Sequence, residues 1–227
     1  MAKRNRERKK ARRAPYRQIK PIILVVSEGK VTEPNYISTF AKYHRNSRVE
    51  VELHGGIGVP KTIVEYAINR KAEAEKRARR ERDENLVFDE VWCVFDIDQH
   101  PNIPEAIQIA SSNGLCLAIS NPCFELWLWL HFAPQPGMQD RHKLQSMLQK
   151  YIPSYDKHVD FASIADGYKD AVSRAEQLEN AALEEDERGR NPTTGVWRLT
   201  ESIICQDESD EHATALETDN ITQERTE

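Results

Sequence analysis

Apolar residues fall first into short unbroken runs, each followed by helical spacing. Residues 21–27, Pro-Ile-Ile-Leu-Val-Val-Ser, are too short and too β-branched for a buried helix, so they predict an interior parallel strand. Tyr36, Ile37, Phe40 and Tyr43 then recur on one helical face, with Thr32 as the candidate N-cap and Pro34 early in the helix. Val49, Val51 and Leu53 alternate with Glu50 and Glu52, which predicts a half-exposed strand near a sheet edge, ending at the Gly55-Gly56-Ile57-Gly58 loop. After Pro60, the spacing of Ile63, Val64, Ala67 and Ile68 marks a helix whose continuation over 70–82 has almost no apolar face and so projects into water. A third strand at 91–95 precedes a helix opened by Pro101 and Pro104, carried by Ile103, Ala106, Ile107 and Ala110, and stopped at Asn113-Gly114. Residues 115–119 form a fourth apolar run, and Pro122 is placed to begin the next helix.

Four successive strand-then-helix units predict an α/β fold, a doubly wound and mainly parallel four-stranded sheet flanked by helices. From about residue 133 the pattern becomes helical, over 141–151, 163–184 and 194–204, which predicts a helical cap or flank. A chain of 227 residues, 39% hydrophobic and 30% charged, supports one good core. The expected organisation is a tail at 1–19, a single domain at 20–204 and a second tail at 205–227.

Charge separates the two tails. The first is crowded with Lys and Arg against Glu7 alone, whereas 206–227 are acidic against Arg225 alone, with too few apolar residues to fold. A basic arm suits phosphate contacts but serves equally as a solubilising tail. The Arg-rich stretch 70–82 is a second candidate phosphate surface, weighed against a solvated helix with internal ion pairs to Glu73, Glu75 and Glu81. Cys93, Cys116, Cys123 and Cys205 lack C-x-x-C spacing, and the first three lie in or beside apolar runs, which predicts buried free thiols instead of zinc or disulfides. No apolar stretch approaches the ~20 residues of a membrane span and the N-terminus lacks a signal segment, so a cytoplasmic protein without a membrane partner is expected.

The candidate chemistry lies at the strand ends. Glu28 closes the first run, and Asp96 and Asp98 close the third. In an open parallel sheet these ends share one crevice, where three carboxylates can hold Mg²⁺ or Mn²⁺ for phosphate chemistry. An isolated Asp after a strand more often caps a helix or makes a turn, but clusters at two equivalent strand ends are repulsive unless a cation lies between them. Glu33, early in the first helix, is either a further ligand or a residue favoured by the helix dipole. Glu125 lies in an apolar run and needs a partner. His100 and His131 are weaker candidates, more easily structural than catalytic, and the tryptophans read as core. Gly29-Lys30 is not a Walker A end, because Leu24 and Val31 occupy positions that motif needs for Gly and for Ser or Thr. A dehalogenase-type D-x-D phosphatase would place its pair on the first strand, not the third.

Four motifs in order, Ser27-Glu-Gly-Lys-Val-Thr-Glu33 with Tyr36, Val94-Phe-Asp-Ile-Asp98, Ser120-Asn-Pro-Cys-Phe-Glu-Leu-Trp-Leu-Trp-Leu-His-Phe132 and Asn191-Pro-Thr-Thr-Gly-Val196, resemble the RloB-like proteins. The resemblance covers 22–202. That family is similar to TOPRIM domains, the metal-binding fold of topoisomerases, primases and OLD-type nucleases. The resemblance implies that Glu28 matches the TOPRIM glutamate, Asp96 and Asp98 the metal-binding pair, and Glu125 a further acid. OLD-type nucleases place an additional acid four residues after the first glutamate, whereas this chain has Thr32 there and Glu33 one step later. The family's association with phage-defence loci, often beside an AAA-type ATPase gene, implies an abortive-infection effector with that ATPase as partner. A nucleic-acid substrate is then expected, RNA (tRNA included) ahead of DNA.

The activity expected from these residues is Mg²⁺- or Mn²⁺-dependent phosphodiester cleavage, with Glu28, Asp96 and Asp98 at the metal and Lys30 neutralising the phosphate. The competing expectation is a non-catalytic nucleic-acid-binding or regulatory subunit of the ATPase. A homodimer is left open.

Overall fold

The computed structural model describes residues 21–53, 59–97, 103–153 and 155–204, which form one compact unit. Both predicted tails, with Cys205, lie outside the described residues, as do the Gly-rich loop, Asp98 and His100.

The sheet has the order β2-β1-β3-β4-β5. Strands β1 (Ile23–Ser27), β2 (Val49–Leu53), β3 (Glu90–Asp96) and β4 (Cys116–Asn121) are parallel, and β2 is at the edge, as its half-polar alternation requires. The expected TOPRIM-like α/β class holds, but the sheet has five strands. Thr193–Thr194 forms β5, antiparallel to β4, within a segment expected to be helical. Two residues carry no periodicity, and this pair is fixed by its partner: Ser120 Oγ lies 2.9 Å from Thr194 Oγ1 in a buried hydrogen bond.

Period two divides the strands between two cores. Leu24, Val26, Cys93 and Phe95 face α2 (Pro60–Glu81) and α3 (Ile103–Ser112). Ile23, Val25, Trp92 and Val94 face a larger core built on α1 (Thr32–Tyr43), α4 (Glu125–Leu130), α5 (Arg141–Leu148), α6 (Tyr168–Glu184) and α7 (Val196–Ile204). The helical extension thus thickens one face of the same unit. Trp92, Trp127 and Trp129 are core, while Trp197 is half-buried and donates to Glu179 Oε2 at 2.8 Å.

Several helix starts differ from expectation. Val31, not Thr32, is at the N-cap of α1, with no side-chain cap bond, because the Thr32 hydroxyl is drawn to Tyr155 Oη at 3.4 Å. Pro122 precedes a turn, and α4 begins at Glu125. Short 3-10 turns at Phe161–Ser163 and Ala165–Gly167 delay α6 to Tyr168. There Gly167 lies so close to the His131 carbonyl that a Cβ has no room. The outer half of α2 is exposed and carries internal pairs, Arg77 with Glu81 at 3.1 Å and Arg79 with Glu75 at 3.6 Å, as a solvated helix would. Cys93 and Cys123 are buried and Cys116 is half-buried, all as free thiols, and burial pushes Cys93 up to about 12. No helix among the described residues is long and apolar enough to cross a membrane.

Candidate active site

Parallel pairing brings the acids together. β1 and β3 run side by side with Ser27 opposite Val94, and the Glu28 amide donates to the Val94 carbonyl at 3.0 Å, so Glu28 leaves β1 at the sheet end where Asp96 leaves β3. The two helices that follow β1 and β4 start at this same end, and each carries an acid in its first turn, Glu33 on α1 and Glu125 on α4. Glu28, Glu33, Asp96 and Glu125 therefore line one cleft of about 410 Å³. Among the predicted residues, Lys30 is exposed on its rim, and Asp98 and the weaker candidate His100 fall outside the described residues.

Glycine at position 29 has a local cause. The Glu33 carboxylate folds back over its Cα, and a Cβ there would overlap that carboxylate. Gly29 thus lets α1 deliver an acid against the end of β1.

Burial is high for three of these acids, with Glu33 7% exposed, Asp96 8% and Glu125 4%. Each is treated differently. Glu125 Oε1 accepts from Gln145 Nε2 at 2.8 Å and from the Tyr155 hydroxyl at 3.0 Å, which supplies the partner its apolar setting requires. Asp96 has Arg141, whose Nη2 is 3.3 Å from Oδ2. Burial pushes the Asp96 carboxyl well above the usual carboxylate range, the Glu33 and Glu125 charges push it further, and Arg141 offsets this in part. Burial also raises Glu33, its own backbone amide opposes this, and the charges of Glu125 and Glu28 add to it. The cluster is thus a group of carboxylates that resist ionising together.

Arg141, Gln145, Tyr155 and Lys157 line the same cleft or bond its acids, and the sequence did not single them out. The one local signal was Asp140, which caps α5 by accepting from the His142 and Lys143 amides and so places Arg141 first in that helix.

His131 is separate from this chemistry. It is buried, its Nδ1 lies 3.0 Å from the Trp127 carbonyl and its Nε2 3.3 Å from the Tyr36 hydroxyl. A carbonyl only accepts, so Nδ1 carries the proton and Nε2 accepts from Tyr36. Burial pushes this imidazole down to about 4, and it is a neutral structural group.

Among the described residues, no three His, Cys, Asp or Glu side chains are grouped closely enough to hold a metal ion. The donor chemistry of the cleft nevertheless suits a hard divalent cation. Its acids offer only carboxylate oxygens, and their mutual repulsion is what a cation would relieve.

A sequence model described as RloB-like protein matches residues 23–203. No curated protein and no solved structure matches the chain.

Proposed function

Because the chain belongs to the RloB-like family, we propose that it is a metal-dependent nuclease that cleaves phosphodiester bonds, with RNA such as tRNA favoured over DNA. In this reading it is an effector of bacterial anti-phage abortive infection, acting with an AAA-type ATPase. The observation that carries the proposal is the convergence of Glu28, Glu33, Asp96 and Glu125 on one cleft at the strand ends, rimmed by Lys30, Arg141 and Lys157. Acids held together at a cost in repulsion, beside cations suited to a polyanion, fit cation-assisted phosphate chemistry.

Glu28, Asp96 and Asp98 would hold Mg²⁺ or Mn²⁺, with Glu33 and Glu125 as further ligands, and the bound ion would polarise a non-bridging phosphate oxygen and offset transition-state charge. Lys30 and Lys157, both exposed at the cleft, would meet the phosphate backbone. Gln145 and Tyr155 fix the Glu125 carboxylate by donating to it. Glu28, half-buried at the cleft wall, would help hold the cation or move a proton at the attacking oxygen.

A second reading, a non-catalytic nucleic-acid-binding or regulatory subunit, is favoured by one observation. Arg141 already pairs with Asp96 and offsets part of the cost of its burial, as a structural ion pair would. Incubating purified protein with total RNA and plasmid DNA, alone and with its neighbouring ATPase, in Mg²⁺ or Mn²⁺ against EDTA, separates the two. Metal-dependent cleavage of RNA is expected, and absence of cleavage under every condition favours the regulatory subunit.

A further inference from the structure

The Arg141–Asp96 pair is placed where it would oppose cation binding. Arg141 is the first residue of α5, in the helical extension, and its guanidinium reaches across the cleft to an acid at the end of β3. It is also the cation that lowers the proton affinity of both Asp96 and Glu33. Its side chain is 37% exposed, against 11% for that of Asp96, so the arginine has a way out and the aspartate does not. The way out leads to a second open cleft of about 660 Å³, which Arg141 lines together with Ile97, Asn121 and Met138.

From this placement we infer that Arg141 is a built-in cation that occupies Asp96 in the metal-free protein. When a divalent ion takes the carboxylate, the guanidinium is released to hold a substrate phosphate between the two clefts. The inference rests on the metal-dependent reading of the cleft and adds an exchange of partners to it. A planar guanidinium suits both tasks, because its fork matches carboxylate and phosphate alike. The exchange also couples metal loading to substrate binding: only in the loaded site has the arginine left Asp96.

Electrostatics gives the inference a sign that a merely structural arginine would not produce. Removing one positive charge beside the acids strengthens their attraction for a divalent ion twice as much as for a proton. Mn²⁺ affinity should therefore rise, while phosphate affinity falls. A residue that only held the cleft in shape would lower both.

The test compares the full-length wild type with Arg141→Gln and Arg141→Lys. Mn²⁺ binding is measured by calorimetry at pH 8, and binding of a single-stranded RNA oligonucleotide by fluorescence anisotropy with Ca²⁺ in place of Mg²⁺ over a range of salt. Arg141→Gln is expected to bind Mn²⁺ roughly tenfold more tightly. It should also bind the oligonucleotide more weakly, with a salt slope shallower by about 0.7, the value for one lost phosphate contact to a single strand. Arg141→Lys, which keeps the charge and loses the fork, should bind Mn²⁺ as the wild type does and still lose oligonucleotide affinity. If the wild type binds Mn²⁺ and Arg141→Gln binds it no better, the partner exchange is wrong and the metal site stands. If neither binds Mn²⁺, both readings fall.

Discussion

The cleft and the aromatic core beside it both bury polar groups, and they do so in opposite ways. Around His131, both ring nitrogens are engaged, and Tyr36, Trp127, Phe161 and Tyr168 surround the ring. Around Asp96, four carboxylates converge with Arg141 as the nearest cation. The first arrangement lowers the energy of the fold, and its histidine simply stays neutral. The second raises it, a cost that a cation bound there would offset. The two regions differ, then, in the charge of what they bury and not in the extent of burial.

The largest expected effect is in the aromatic core. Trp127→Ala removes a fully buried ring against Tyr36, His131 and Tyr168 and should cost about 3–5 kcal/mol in denaturant unfolding. A loss under 1 kcal/mol would mean that this region is not the cohesive one.

Next come two pH limbs of opposite sign. His131 titrates at about 4 when folded against 6.5 ordinarily, so the unfolded chain binds the extra proton between those values. Its contribution is present above pH 6.5 and is lost as pH falls toward 4, by on the order of 3 kcal/mol. Asp96 and Glu33 have raised folded values, so their contribution is present at low pH and lost as pH rises through those values. In the metal-free protein the two limbs should therefore oppose each other, and a thermal-unfolding series across pH in EDTA resolves them, the carboxylate limb being smaller in Asp96→Asn.

Two substitutions should then separate the regions by sign. Tyr36→Phe leaves His131 Nε2 without its donor and should destabilise by about 1–3 kcal/mol. Asp96→Asn relieves repulsion and should stabilise the metal-free protein at pH 8 by on the order of 1 kcal/mol, about 2–4 °C in Tm, with the gain shrinking as pH is lowered. A destabilised Asp96→Asn would assign the Arg141 pair a structural role.

The sequence carried the scaffold well because strands and helix faces write their periods locally. Residues 21–27 and 91–95 read as strands of one parallel sheet with their ends at one crevice, and their pairing side by side brings Glu28 and Asp96 to the same sheet end. Glu33 and Glu125 were legible as first-turn residues of helices that begin at the same crevice. Arg141, Gln145 and Tyr155 were not, since their contacts arise from docking a later helix and the loop after it onto the cleft, which no local pattern encodes. Thr32 misled as a cap for the same reason: its hydroxyl answers to Tyr155, 123 positions away.

Whether the acids of the cleft hold a divalent ion is best decided by titrating Mn²⁺ into wild type and Asp96→Asn and following free Mn²⁺ by electron paramagnetic resonance. The account predicts a saturable site in the wild type that is lost in Asp96→Asn while the variant stays folded. Equal binding by the two proteins, or none by either, would contradict it.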